Sequence, residues 1–488
     1  MTKTSIWQWT AVETARAVRE GQVSAVEVVQ AHLARMSIAN PPLNAVVVPL
    51  AADALSAAKA ADAHQASGAE LGPLHGVPIT IKINVDVAGQ ANSNGVVAFK
   101  DNIAQEDAPV VANLRRAGAI LLGLTNTPEF SLRAFTDNPL HGMTFNPWDA
   151  GITCGGSSGG AAAAVAAGIG AIAHGNDIGG SLRWPAHCNG VVTIKPTQGR
   201  IAAYNPTAME ERALVSQLMS AQGPLTRTVE DARVALEVMS AQDRRDPWYA
   251  PAPLDGDSVP RRAAIARIPD DMDCDPAVVA LYRQAGEHLA AAGYELEEVE
   301  VPELSAVWGL WRDLLFAEFA VMQAPLMRKV GSDAFKRLIE ASLASSTVTD
   351  LEGYMRGIAR RTGFIRTWME FLERHPVLLT PVSVQRTPGP NADVDGSARN
   401  LFWKGLRFVG PVNLLGLPAA VVPVGLVDGA PIGVQLIATR FREDLCLQAA
   451  AAIESRAGPV VPRLWAREER SADGVQCRTH GGEHTGRE

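Results

Sequence analysis

Gly155-Gly156-Ser157-Ser158-Gly159-Gly160 and, a short way downstream, Asp177-Ile178-Gly179-Gly180-Ser181-Leu182-Arg183 set serines among paired glycines twice within one stretch. Serine hydroxyls are candidate nucleophiles, and glycine lets a backbone turn sharply and bring its N–H groups close to a bound group. Amides so placed stabilise the oxyanion of a tetrahedral acyl intermediate. The chemistry suggested is acyl transfer, with a candidate nucleophile, a candidate proton relay and an oxyanion hole in one stretch. A serine hydroxyl is weak at neutral pH and needs a base within hydrogen-bond reach. The ten histidines offer none in a marked setting, so His75, His141, His174 and His187 read as structural.

The two segments resemble the hallmark of the amidase signature family of serine hydrolases, Gly-Gly-Ser-Ser-Gly-Gly followed by Asp-x-Gly-Gly-Ser-x-Arg. That family carries a lysine on an upstream strand, and Gly76-Val77-Pro78-Ile79-Thr80-Ile81-Lys82 has that form. The resemblance implies a Ser-Ser-Lys triad of Lys82, Ser157 and Ser181, with Ser181 as nucleophile, Ser157 as proton relay and the N–H groups of Ile178, Gly179, Gly180 and Ser181 as oxyanion donors. Neutral Lys82 takes a proton through Ser157 as Ser181 attacks the acyl carbon, and Ser157 returns it to the leaving nitrogen. Burial makes the neutral form of a lysine accessible, and Ile79, Ile81 and Ile83 make Lys82's strand apolar. The resemblance also implies a cis peptide before Ser157 and a place near the substrate for Ser131. Asp177, Arg183 and Ser158 are expected to hold the loops in shape, Arg183 by forked hydrogen bonds and Asp177 by accepting N–H groups. The chain departs from many members at Ile83, Cys154 and Asn176, where Asp, Pro and Thr are common.

These groups need elements to carry them. Ala161 to Gly168 reads as a buried small-residue helix, expected to hold the two loops at its opposite ends. Thr10-x-x-Glu13 and Ser24-x-x-Glu27 announce two earlier helices, the second ended by Asn40-Pro41-Pro42-Leu43-Asn44. Strands are expected at 45–49, up to Lys82, at 119–125, 263–268, 295–301 and 377–381, with Gly223 to Asp231 opening a helix, and Phe408 to Ala419 and Pro431 to Ile437 resemble the C-terminal sheet of the same family. Strands alternating with helices favour an α/β fold: one large domain over 1–470, a central mixed β-sheet covered by helices on both faces. The resemblance is densest over 72–231. Residues 305–374 read as a helical substrate-side region whose aromatics are mostly core, while 242–257 is the best internal boundary. Pocket residues are expected from 131–143, 200–220 and 305–374, and 471–488 as a disordered tail.

A net charge of −8 without any Lys/Arg cluster argues against a nucleic-acid partner. Five scattered cysteines without a C-x-x-C pair indicate neither a disulfide framework nor a zinc site and fit a cytoplasmic setting. No apolar run is long enough for a membrane span. The chain is therefore expected to be a cytoplasmic amidohydrolase, without metal or cofactor, that cleaves a small-molecule carboxamide or aryl/alkyl amide to acid and amine or ammonia. A carbamate or urea-type bond is an alternative for the same triad, as is the glutaminase component of a tRNA-dependent amidotransferase. A homodimer is a family-level expectation.

Overall fold

Along the central strands successive side chains enter different apolar clusters, as the period of two requires. Ile172, Ala420 and Val422 pack in one cluster, Ala173 and Val421 in another. Both clusters contain helices, so the central strands are covered on both faces and need no polar side.

The computed structural model describes residues 5–479 apart from 345, 346, 348, 349 and 395. Its strands are β1 (Val46–Pro49), β2 (Pro78–Lys82), β3 (Ile120–Thr125), β4 (Ile172–Asp177), β5 (Val192–Lys195) and β6 (Ala221–Thr226), then β7 (Arg262–Ala266), β8 (Glu295–Val299), β9 (Val377–Pro381), β10 (Ala419–Val427) and β11 (Ala430–Ile437). They form one 11-stranded sheet in the order β1-β3-β2-β4-β6-β5-β10-β11-β9-β7-β8. The sheet is mixed: β2 runs parallel to β3 and β4, whereas β4 pairs antiparallel with β6 and β5 with β10. The 242–257 stretch contains no helix or strand, but β7 and β8 beyond it join the same sheet beside β9, so it is a connection within one sheet.

Both capping boxes form, Thr10 with Glu13 and Ser24 with Glu27. The second helix ends at Leu43, inside the expected stop, where Asn44 takes the left-handed turn at φ 53. Of the two segments expected in the C-terminal sheet, Pro431 to Ile437 lies in β11, whereas Gly410–Leu415 is a helix. Gly223 to Thr226 belongs to β6 rather than a helix, and the helix opens at Val229 behind the Thr228 cap. At the C-terminus a helix spans Val461–Thr479, reaching into the segment expected as tail; residues 480–488 lie outside those described.

The placement of the two serine loops differs from expectation in one respect. The helix Gly159–Ala166 does not separate them end from end: after it the chain turns at Gly168 and Gly170 and returns along β4. Ser157 therefore precedes the helix and Ser181 follows the returning strand, at the same end. The Ser158 N–H donates to the Ser181 carbonyl at 3.2 Å, tying the loops together.

Candidate active site

Lys82 ends β2, flanked in the sheet by β3 and β4, and is fully buried. Its Nζ lies 2.8 Å from Ser157 Oγ, 3.1 Å from Ser158 Oγ and 2.8 Å from Asn176 Oδ1. Burial pushes the Lys82 pKa well below the ordinary lysine value, against a smaller upward pull from the Asp177 carboxylate. The site thus holds an amine biased towards its neutral form in contact with a buried hydroxyl. Ser157 follows a cis Gly156–Ser157 peptide, and its carbonyl accepts from Thr127 Oγ1 at 2.9 Å. Gly156 has no room for a side chain: a Cβ there would stand 2.6 Å from the Arg133 carbonyl oxygen and from Phe135 N.

The 177–183 loop is built around one buried ion pair. Arg183 donates from Nε and Nη2 to the two Asp177 oxygens at 3.0 Å each, and its remaining N–H groups reach Val409 O, Gln435 Oε1 and Asn413 Oδ1. Burial alone would raise the Asp177 pKa; the Arg183 charge and hydrogen bonds outweigh it and hold the carboxyl well below the usual range. Asp177 also accepts from Gly180 N at 2.7 Å and Leu182 N at 3.1 Å, which winds the loop around the carboxylate.

This winding corrects the expected set of oxyanion donors. The Gly180 N–H is turned to Asp177 and is not free to meet a substrate, although Gly180 still lines the cavity. Among the described residues, the N–H groups of Ile178, Gly179 and Ser181 enter no internal hydrogen bond. Trp311 Nε1 donates to the Ile178 carbonyl at 3.0 Å, fixing that peptide from the far side.

Ser181 is half-buried where two cavities meet. One is apolar, walled by Trp184, Trp311, Phe316, Phe319, Phe335 and Trp403. The other is more polar and reaches Asn84, Asn94, Asn176, Arg212 and Gln222. Ser131 lines both. It adopts φ 57, its Oγ donates to Asn94 Oδ1 at 2.6 Å, and it accepts from Asn84 Nδ2 at 2.9 Å. The expected pocket segments all contribute, and Trp308, Phe364 and Trp368 behave as the core aromatics anticipated. Sequence reasoning missed Asp393, Arg399, Trp403 and Leu406 on the wall, because nothing local marks residues that reach the site from so far along the chain. It also gave no role to Asn84 and Asn176.

The histidines stay away from the serines. His174 bonds Gln222 Oε1 at 2.8 Å, and burial pushes its pKa down to about 4; His187 meets the Gly433 backbone and is likewise lowered to about 4 by burial.

A loop of free amides, a buried lysine and two cavities converging on one serine is an arrangement for acyl transfer, and the similarity to known proteins agrees. The sequence model of the Amidase family matches residues 27–447. The chain belongs to the amidase family. It is 60% identical over 467 residues to the indoleacetamide hydrolase of Bradyrhizobium diazoefficiens, covering 95% of this chain and 89% of that one. It is 34% identical over 475 residues to the acylamidase of Rhodococcus erythropolis, covering 93% of this chain and 97% of that one. Among solved structures, a 6-aminohexanoate cyclic dimer hydrolase complexed with substrate superposes with a TM-score of 0.80 at 29% identity, covering 94% of this chain and 98% of that one. This amidase is an enzyme that hydrolyses carbon–nitrogen bonds of amides. Among its described residues no helix is long and apolar enough to cross a membrane, and Cys154, Cys188, Cys274 and Cys446 are free.

Proposed function

We propose that this amidase hydrolyses the primary amide of an arylacetamide, with indole-3-acetamide as the leading substrate, through a seryl acyl-enzyme on Ser181. The observation that carries the reading is the aromatic-walled cavity opening on Ser181, apolar enough to desolvate a bicyclic ring. The 60% identity to an indoleacetamide hydrolase points the same way and favours neither the carbamate nor the glutaminase alternative.

In this mechanism neutral Lys82 accepts the Ser157 proton while Ser157 Oγ accepts that of Ser181, whose oxygen bonds the amide carbon. The carbonyl π pair moves onto oxygen, which the N–H groups of Ile178, Gly179 and Ser181 receive; each such donor is worth on the order of 10² to 10³ in rate. Collapse of the intermediate expels the nitrogen as Ser157 protonates it and recovers a proton from Lys82, so ammonia leaves neutral. Water then attacks the ester by the same route, releasing the arylacetic acid and restoring all three groups. A cytoplasmic setting belongs to the same reading and is supported by the free thiols.

The test is ammonia release by the purified chain from indole-3-acetamide, phenylacetamide, propionamide, an aryl carbamate and glutamine. The aryl amides should lead, and Ser181→Ala should abolish turnover. Propionamide or glutamine matching them in kcat/KM would overturn the arylacetamide assignment, and an active Ser181→Ala variant would overturn the nucleophile.

A further inference from the structure

Lys82 Nζ has three oxygen neighbours, and a neutral amine has two N–H groups and one lone pair, so the three contacts cannot be alike. Asn176 Oδ1 can only accept. Ser158 spends its proton on the Asn176 carbonyl at 3.3 Å, so its oxygen is also an acceptor towards the lysine. Both N–H groups are thereby taken. Ser157 Oγ is the remaining neighbour, and among the described residues its hydroxyl proton has no acceptor other than Nζ.

The orientation of the Asn176 carboxamide is fixed from behind. Its Nδ2 donates to Asn84 Oδ1 at 2.9 Å, and Asn84 Nδ2 donates back to Asn176 Oδ1 at 3.2 Å and to Ser131 Oγ at 2.9 Å. Asn84 is held in turn by Asn205 Nδ2, which donates to its carbonyl at 3.0 Å. A flipped Asn176 would set its Nδ2 against the lysine N–H groups and lose both bonds to Asn84.

We propose that Asn176, braced by Asn84, is a positioning residue that takes one Lys82 N–H and so aims the lysine lone pair at Ser157, as an acceptor that adds no charge. The inference rests on the reading of Lys82 as base. The charged and titratable groups around Nζ are consistent with it. On β4, Asp177 is neutralised by Arg183, and His174, with its pKa near 4, is uncharged at neutral pH. On β6, Gln222 carries no charge, and Arg212 stands on the wall of the polar cavity.

Asn176→Asp keeps the shape and adds a carboxylate beside Nζ, which stabilises the protonated lysine. The acid limb of kcat/KM against pH should move up by about one to three units, with rates returning towards wild type at alkaline pH. A purely structural residue would lower the profile without shifting it. Asn84→Ala, which leaves the lysine contact but removes its brace, should lower kcat about tenfold or more with KM little changed. A folded Asn176→Asp enzyme whose profile superimposes on wild type would overturn the proposal; should that variant not fold, Asn84→Ala with kcat within threefold of wild type would do so. Lys82→Ala run alongside separates the two readings: near wild-type activity there removes the lysine as base, whereas an inactive Lys82→Ala with an unshifted Asn176→Asp removes only the positioning role.

Discussion

Replacing Gly179 with alanine tests whether the oxyanion amides depend on their fit against Trp311. A methyl group built on Gly179 lies 2.5 Å from Trp311 Cζ2, 3.2 Å from Cη2 and 3.5 Å from Cε2. Carbons in contact sit about 3.5–4.0 Å apart, so one partner must yield by roughly 1 Å. The indole is poorly free to do so: its Nε1 bonds Ile178 O, it stacks on Trp308 with centroids 4.9 Å apart, and its ring also packs against Gly410. The loop therefore moves. Gly179, unlike Gly180, is not in the left-handed region, so the substitution adds a clash without a conformational penalty.

A misplacement of about 1 Å costs about 10²-fold in rate, and outright loss of a donor on the order of 10² to 10³. Because these amides serve charge that develops only in the transition state, the loss should fall on kcat with KM nearly unchanged. Steady-state ammonia release, with a thermal melt to confirm folding, measures both. Gly179→Ala combined with Trp311→Leu removes the obstructing ring, so the pair should be less impaired than the product of the single effects. A Gly179→Ala enzyme within threefold of wild-type kcat, or a double variant with purely multiplicative losses, would refute the reasoning.

Lys82→Ala should lower kcat/KM by about 10²- to 10⁴-fold, the usual worth of a positioned base. Its pKa is lowered by burial and the active form is neutral, so wild-type kcat/KM should climb tenfold per pH unit on the acid side and level off below the ordinary lysine range; a flat profile from pH 5 to about 10 rules this out. Asp177→Asn breaks a fully buried pair and should cost about 3–5 kcal/mol, read as a lowered urea midpoint at pH 7. Since the folded carboxyl has a depressed pKa, that contribution is present above the unfolded value of about 3.9 and is lost as pH falls towards the folded one, so the two midpoints should converge in acid. Equal midpoints at pH 7 would contradict it. Phe316→Ala should raise KM for an arylacetamide about tenfold or more while sparing propionamide, from the roughly 1.5–3 kcal/mol that burying such a ring contributes; equal effects on both would remove Phe316 from the aryl site.

What could be read from the sequence was local chemistry. The Gly-Gly-Ser-Ser-Gly-Gly and Asp-x-Gly-Gly-Ser-x-Arg segments pointed to Ser157 and Ser181, their resemblance to the amidase signature pointed to Lys82, and the alternation of strands and helices pointed to a mixed sheet. Strands β4 and β6 were not legible, because Ile172–Asp177 and Ala221–Thr226 are short, rich in small residues and covered on both faces. Missing β4 led to the misplaced expectation that one helix separates the serine loops. The partners of Arg183 were hidden for another reason: Val409, Asn413 and Gln435 lie more than 200 positions away, and no pattern near Arg183 announces them. The Gly180 N–H was misassigned because a glycine pair shows that the backbone can turn, not which way each amide faces.

Strand period links the two residues that control Lys82 most closely. Asn176 and Asp177 are adjacent on β4, and adjacent side chains on a strand point to opposite faces. Asn176 therefore reaches Lys82, while the carboxylate goes to the other side, where Arg183 and Asn413 occupy it. A one-residue slip in register would exchange them and set an anion against the amine, favouring the protonated lysine that cannot act as a base. The pairing of β4 with β6, from Ile172↔Thr226 through Asp177↔Ala221, guards against that slip. The Asp177–Arg183 pair thus does more than shape the loop: it keeps the nearest negative charge neutralised, on the face away from the lysine, and leaves burial to dominate the Lys82 pKa.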